Sequence, residues 1–177
     1  MVSFAFKSGG QWIMIATENC KIYFPHQPTD QTGTVNTAKG DLKVNIYSYK
    51  VAASAKDENL AYALTVTEYP DSVVLSQNQE QTDAFFSASI SGMLNNFHGK
   101  LVGESKTTIQ GFPGRQVKLN LQHGGAIMNI HLFLVKNRMY MLETITKADK
   151  APNNSIKRFM SSFEIIPSAE ANQVGQP

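Results

Sequence analysis

A chain of 177 residues with 42% hydrophobic residues, ten Phe and six Tyr carries enough apolar volume to fill one core, which excludes intrinsic disorder. Its net charge of +2, with Lys and Arg scattered except at Lys136/Arg138 and Lys157/Arg158, lacks the basic stripe of a polyanion binder, so nucleic acid is set aside as a partner. The single cysteine, Cys20, excludes an internal disulfide and a multi-cysteine metal cage, and no run approaches the ~18 apolar residues of a membrane span.

Residues 1–10 end in Gly9-Gly10 and read as a flexible N-terminal segment, with Phe4 and Phe6 able to pair at a sheet edge. In Met1–Lys7 the charge follows the apolar residues, unlike a secretory signal. The protein is thus expected to be cytoplasmic if Met1 is the native start, and extracytoplasmic if a leader was removed before this numbering. Trp12–Ala16 and Cys20–Phe24 form an opening strand pair around Glu18-Asn19, closed by Pro25 and Pro28. In the second strand the even positions are apolar, which places Cys20 in a core as an inert thiol. Thr32–Thr37 and Leu42–Tyr49 flank the hairpin loop Lys39-Gly40-Asp41; Leu42, Val44, Ile46 and Ser48 share one face, Tyr47 and Tyr49 the other. Leu60, Tyr62, Leu64 and Val66 alternate along a further strand, after Asp57-Glu58, which reads as a solvated loop.

From Gln77 to Phe97 the period changes. Phe86, Ile90, Met93, Leu94 and Phe97 make one apolar helix stripe, with Thr82 or Ser76 as the cap, Glu80 and Asp83 in the first turns and Gly99 as the stop. Such a stripe faces a core far more often than a cofactor. A four-strand meander follows: Leu101–Ile109, Arg115–Gln122, Ala126–Val135 and Met139–Thr146. Its turns are Gly111-Phe112-Pro113-Gly114, His123-Gly124-Gly125 and Lys136-Asn137-Arg138. A closing helix over Pro152–Ser162 carries Ile156, Phe159, Met160 and Phe163 at helical spacing, capped by Asn153 or Asn154, and Phe163–Ile166 adds a short last strand. Residues 167–177 are a polar, aperiodic, flexible tail. The order of strands, helix, meander and helix predicts one soluble α+β domain over 11–166 with helices packed on a central antiparallel sheet.

Gly111-Phe112-Pro113-Gly114-Arg115, the His123-Gly124-Gly125 turn, the strands Ile130–Val135 and Arg138–Leu142, and the ending Arg158-Phe159-Met160-Ser161-Ser162-Phe163 resemble the PsbP/Mog family. Ile22-Tyr23-Phe24-Pro25 with Pro28 is similar to that family's early strand and turn. The resemblance implies an α/β/α sandwich, a central antiparallel β-sheet flanked by helices on both faces. It also implies an accessory role, since characterised relatives are an extrinsic photosystem II subunit and a Ran-binding nuclear import factor. The matched motifs are structural punctuation, so no catalytic residue is carried over.

The residues themselves offer no catalytic, cofactor or metal motif. His26, His98, His123 and His131 lack the spacing that sets two imidazoles on one helix face. The carboxylates are dispersed and form no calcium loop, and there is no phosphate-binding Gly loop or Gly-x-Ser-x-Gly elbow. Ser89 and Ser91 read as the polar side of the long helix. The expectation is a non-catalytic binding or accessory protein that acts through a protein partner, with no cofactor. The alternative is a small-molecule binder or hydrolase with a pocket between the helix Gln77–Phe97 and the sheet. An exposed aromatic patch at Tyr47, Tyr49 or Tyr140 favours the first; a deep pocket with converging polar and perturbed titratable groups favours the second.

Overall fold

The computed structural model describes residues 12–37, 40–70 and 78–166. The terminal segments 1–10 and 167–177, the Phe4/Phe6 edge and the Ser76 cap lie outside them. Alternating β-branched and polar residues build ten strands: β1 (Ile13–Ala16), β2 (Cys20–Phe24), β3 (Thr29–Thr37), β4 (Gly40–Lys50), β5 (Asn59–Glu68), β6 (Lys100–Ile109), β7 (Phe112–Leu121), β8 (Ala126–Val135), β9 (Arg138–Lys147) and β10 (Glu164–Ile165). Two α-helices among the described residues, α1 (Gln79–Phe97) and α2 (Asn154–Ser161), complete the order expected from the sequence.

The strands form two antiparallel sheets. Seven run in the order β3-β4-β5-β9-β8-β7-β6, so the predicted β6–β9 meander is continuous and β5 joins it through β9. A small sheet, β1-β2-β10, is separate, with Glu164 and Ile165 paired to Lys21 and Cys20. The α+β class with a central antiparallel sheet therefore holds. One face is covered by α1; the other is covered by the small sheet together with α2, so the layer on that side is mixed and not helical alone.

Each face has its own core. Under α1, Phe86, Ile90 and Met93 pack on Val117, Leu119, Met128, Ile130, Leu132 and Leu134. On the opposite face Ile22, Phe24, Tyr62, Leu64, Tyr140 and Leu142 pack on Phe159, Met160 and Phe163, with Phe24 and Tyr62 edge-on to Phe159 at 5.1 and 5.3 Å. Cys20 is buried in this second core, as expected.

Local chemistry corrects several boundaries. Asn78 caps α1, its side chain accepting from the Gln81 N–H at 2.8 Å, while Thr82 lies one turn inside and donates back to the Asn78 carbonyl at 2.9 Å. The left-handed residue that ends α1 is His98 (φ 48°) and not Gly99; the Gly99 N–H closes the motif on the Leu94 carbonyl. Phe97, in the last turn before that cap, is 40% exposed and leaves the core stripe. Leu60 is 37% exposed because a register shift between Asn59 and Ala61 breaks the alternation that includes Tyr62 and Leu64. On β4 the tyrosine face, not the Leu42/Val44/Ile46 face, reaches the second core.

Candidate functional site

A cleft of about 570 Å³ opens where the end of β2, the loop after β4 and the first turn of α2 meet. Its walls are rings: Trp12, Tyr49 and the His26 imidazole, which lies 5.1 Å from the Tyr49 ring. Its charged members are Lys56, Asp57 and Arg158.

Each wall has a local cause. Pro25 ends β2 and turns the chain so that His26 projects beside Tyr49. The Asn153 side chain caps α2 by accepting from the Ile156 N–H at 2.9 Å, which sets Asn154 and Ser155 at the cleft rim. The apolar stripe of α2 is buried through Ile156, Phe159 and Met160, and Arg158 is left on the rim. Its guanidinium sits 4.6 Å from the Trp12 ring centroid, a cation–π contact.

Beneath the cleft lies a saturated polar network. The Tyr62 hydroxyl donates to the Asp57 carboxylate at 2.8 Å, and the Asn59 N–H donates to the same carboxylate at 2.9 Å. Asn59 and Asn153 exchange side-chain amide bonds at 3.0 and 3.3 Å, and Thr146 donates to the Asn59 side-chain carbonyl. Burial and then the neighbouring Asp57 push the Tyr62 phenol well above its ordinary value, so it stays a donor. Asp57, read from sequence as part of a solvated loop, is instead half-buried and holds that loop to β5 and α2. These groups are committed to architecture.

The remaining candidate residues are dispersed. His98 ends α1, His123 stands in a turn with φ 55°, and His131 is half-buried on β8, where burial pushes its pKa down. The Ser89 hydroxyl donates to the Phe85 carbonyl, and Ser91 is exposed. Among the described residues no group of three His, Cys, Asp or Glu side chains could hold a metal ion, and no helix is long and apolar enough to cross a membrane. Burial pushes the Cys20 thiol up, and only the Thr17 hydroxyl, 3.4 Å away, opposes that. Two carboxylates do work the sequence did not advertise. Asp83 on α1 ion-pairs with Lys106 at 2.9 Å and with Arg115, whose side chain is 6% exposed, reaches Glu104 at 3.3 Å and lies 4.8 Å over the Phe86 ring. Glu143 on β9, buried under the α1 side of the sheet, accepts from the Thr65 hydroxyl at 3.4 Å as its one hydrogen bond among the described residues, and burial pushes its pKa up to about 7.

Tyr140 is 1% exposed and belongs to no surface patch; Tyr47 and Tyr49 are half-buried, and Tyr49 lines the cleft beside Trp12 and His26. Among the described residues Phe86, Ile90 and Met93 pack directly on the sheet where a pocket was the alternative, and the cleft of Trp12, Tyr49 and Arg158 lies on the opposite face.

No family model and no curated protein sequence matches this chain. Among solved structures it is similar to cyanobacterial PsbP (CyanoP) from Synechocystis, with a TM-score of 0.51, 8% identity, and coverage of 93% of this chain and 99% of that one. The fold is PsbP-like. A protein of unknown function from Pseudomonas aeruginosa, described as a candidate regulator, aligns with a TM-score of 0.43 and 14% identity over 82% of this chain and 98% of its own. At 8% identity the PsbP likeness fixes the backbone arrangement and leaves the cleft's side chains to be read for themselves.

Proposed function

We propose that this PsbP-like chain is a member of the PsbP/Mog family and a non-catalytic accessory protein that works by binding a protein partner. The observation that carries this reading is the division of labour at the cleft. Its accessible groups are rings and cations, the currency of recognition, whereas its carboxylate, Asp57, is spent on Tyr62 and Asn59. Acid–base chemistry needs a titratable group oriented against a bound molecule. The one imidazole on the cleft wall, His26, lies beside the Tyr49 ring with no carboxylate partner among the described residues to orient it. Glu143, the carboxyl held near neutrality, is buried on the other face of the sheet. The accessory role of characterised PsbP/Mog proteins agrees with this reading.

A small-molecule binder is the second reading, favoured by a cleft volume inside the usual range for ligand sites. Affinity purification of the tagged protein from its own host, followed by mass spectrometry of both protein and small-molecule fractions, separates the two. A reproducible protein partner at comparable stoichiometry is expected. A co-purifying small molecule without any protein would replace the first reading with the second.

A further inference from the structure

We propose that the cleft between the β2 end and α2 is a docking site for an acidic peptide segment of a partner protein, with a carboxylate on Arg158 and Lys56 and an aromatic side chain against Trp12 and Tyr49. This inference rests on the protein-binding reading above and names the chemistry of the partner.

The argument begins with arginine. The chain has three. Arg115 is buried between Asp83 and Glu104, and Arg138 pairs with Glu68 at 3.2 Å and reaches the Asn19 side chain at 3.3 Å. Arg158 pairs with no carboxylate among the described residues. Its guanidinium is held instead over Trp12 at 4.6 Å, and its N–H groups donate no hydrogen bond among the described residues, which leaves them available to grip a carboxylate. Lys56, on the facing loop, also pairs with no carboxylate among the described residues.

Asp57 brings one negative charge but pairs with neither cation, its oxygens being turned to Tyr62 and to the Asn59 N–H and side-chain amide, so the cleft sets two cations against one carboxylate. The first turn of α2, the positive end of its dipole, faces the same space through Asn154 and Ser155. Pro25, Ala55 and the rings supply apolar wall between the cations. An anion alone would leave that wall wet, and an apolar group alone would leave two cations unanswered. Glu or Asp beside Phe or Tyr in one extended segment satisfies both.

Trp12 is the only tryptophan, so its fluorescence reports occupancy directly. The full chain is titrated with blocked pentapeptides that carry one Phe or Tyr and two Glu, with the matching Gln peptides, and with citrate and inorganic phosphate alone. A saturable change with the Glu peptides is expected, weakened by salt and on the order of tenfold weaker in Arg158→Gln. Lys56→Gln, on an exposed loop away from the tryptophan ring contact, should weaken binding in the same direction. Equal response to Gln peptides, or Glu-peptide binding unchanged in both variants, would overturn the assignment. So would the absence of any saturable response, and binding of citrate or phosphate as tight as the peptides would reassign the cleft to small anions. A protein partner still recovered by Arg158→Gln from the native host would show that the accessory reading survives while this cleft assignment does not.

Discussion

At the scale of single residues, two buried or paired carboxyls make opposite statements about pH. Burial raises Glu143 to about 7, so its neutral form is the one the fold accepts. Its stabilising contribution is complete below the unfolded value near 4.5 and is lost as pH rises through about 7. Glu143→Gln keeps the neutral shape at every pH. It should be more stable than the parent at pH 8 by about 2–3 kcal/mol, and indistinguishable at pH 4, in urea unfolding curves. Equal stability at pH 8 would mean that Glu143 ionises in contact with water. Asp83 behaves in the reverse sense. Lys106, Gln79 and Arg115 hold its carboxyl down to about 2, so its contribution is present above the usual carboxylate range and is lost as pH falls toward about 2. Asp83→Asn should therefore flatten the acid limb of the stability profile between about pH 4 and pH 2, measured as the unfolding midpoint in urea.

At the scale of elements, Gly114 and the aromatic anchors decide how the layers meet. A Cβ at Gly114 would stand 2.6 Å from both the Leu132 carbonyl oxygen and the Phe133 ring, so backbone on the neighbouring strand would have to move. Gly114→Ala should cost about 1–3 kcal/mol in thermal or chemical unfolding. Phe86 anchors α1 and Phe159 anchors α2, and both are fully buried. Either change to Ala should cost roughly 3–5 kcal/mol, and near-parental melting temperatures in both variants would contradict the assigned helix faces. Gln110 joins the β6–β7 turn to the small sheet through paired bonds with Ile165, accepting from its N–H at 2.8 Å and donating to its carbonyl at 3.0 Å. The turn itself carries positive φ at Gln110 and Gly111 (47° and 86°), as a two-residue hairpin requires.

Elements of this kind were legible because they depend on local spacing. The 3–4 residue period of Phe86, Ile90 and Met93 announces α1, and the His123-Gly124-Gly125 and Lys136-Asn137 turns announce the meander. The turn expected at Gly111-Phe112-Pro113-Gly114 falls instead at Gln110-Gly111, and Phe112, Pro113 and Gly114 pair with β6 as the start of β7. What depends on distant partners was not legible. Asn78 outcompetes Thr82 as the α1 cap only through the position at which the helix starts, and Leu60 leaves the core through a bulge set by pairing with β9. The cleft is the extreme case. Trp12 and Arg158 stand at opposite ends of the sequence, and nothing near either one signals the 4.6 Å contact that the fold creates. A single tryptophan beside a strand and an arginine on a short helix are each unremarkable until α2 docks on the small sheet.

At the scale of the whole molecule, the two faces of the seven-stranded sheet serve different ends. The α1 face is closed by Phe86, Ile90 and Met93 and clamped at one end by Asp83, Arg115, Glu104 and Lys106, an arrangement suited to stability. The opposite face ends in the cleft, where rings and two cations without carboxylate partners among the described residues meet the solvent. The central claim is that this end of the molecule is the working surface. Its most direct test is quantitative affinity capture from the native host with the parent protein, Arg158→Gln, and Phe97→Asp, which alters an exposed residue at the end of α1. The account predicts that a reproducible partner is retained by the parent and by Phe97→Asp and largely lost with Arg158→Gln. Equal recovery with all three, or loss with Phe97→Asp alone, would contradict it.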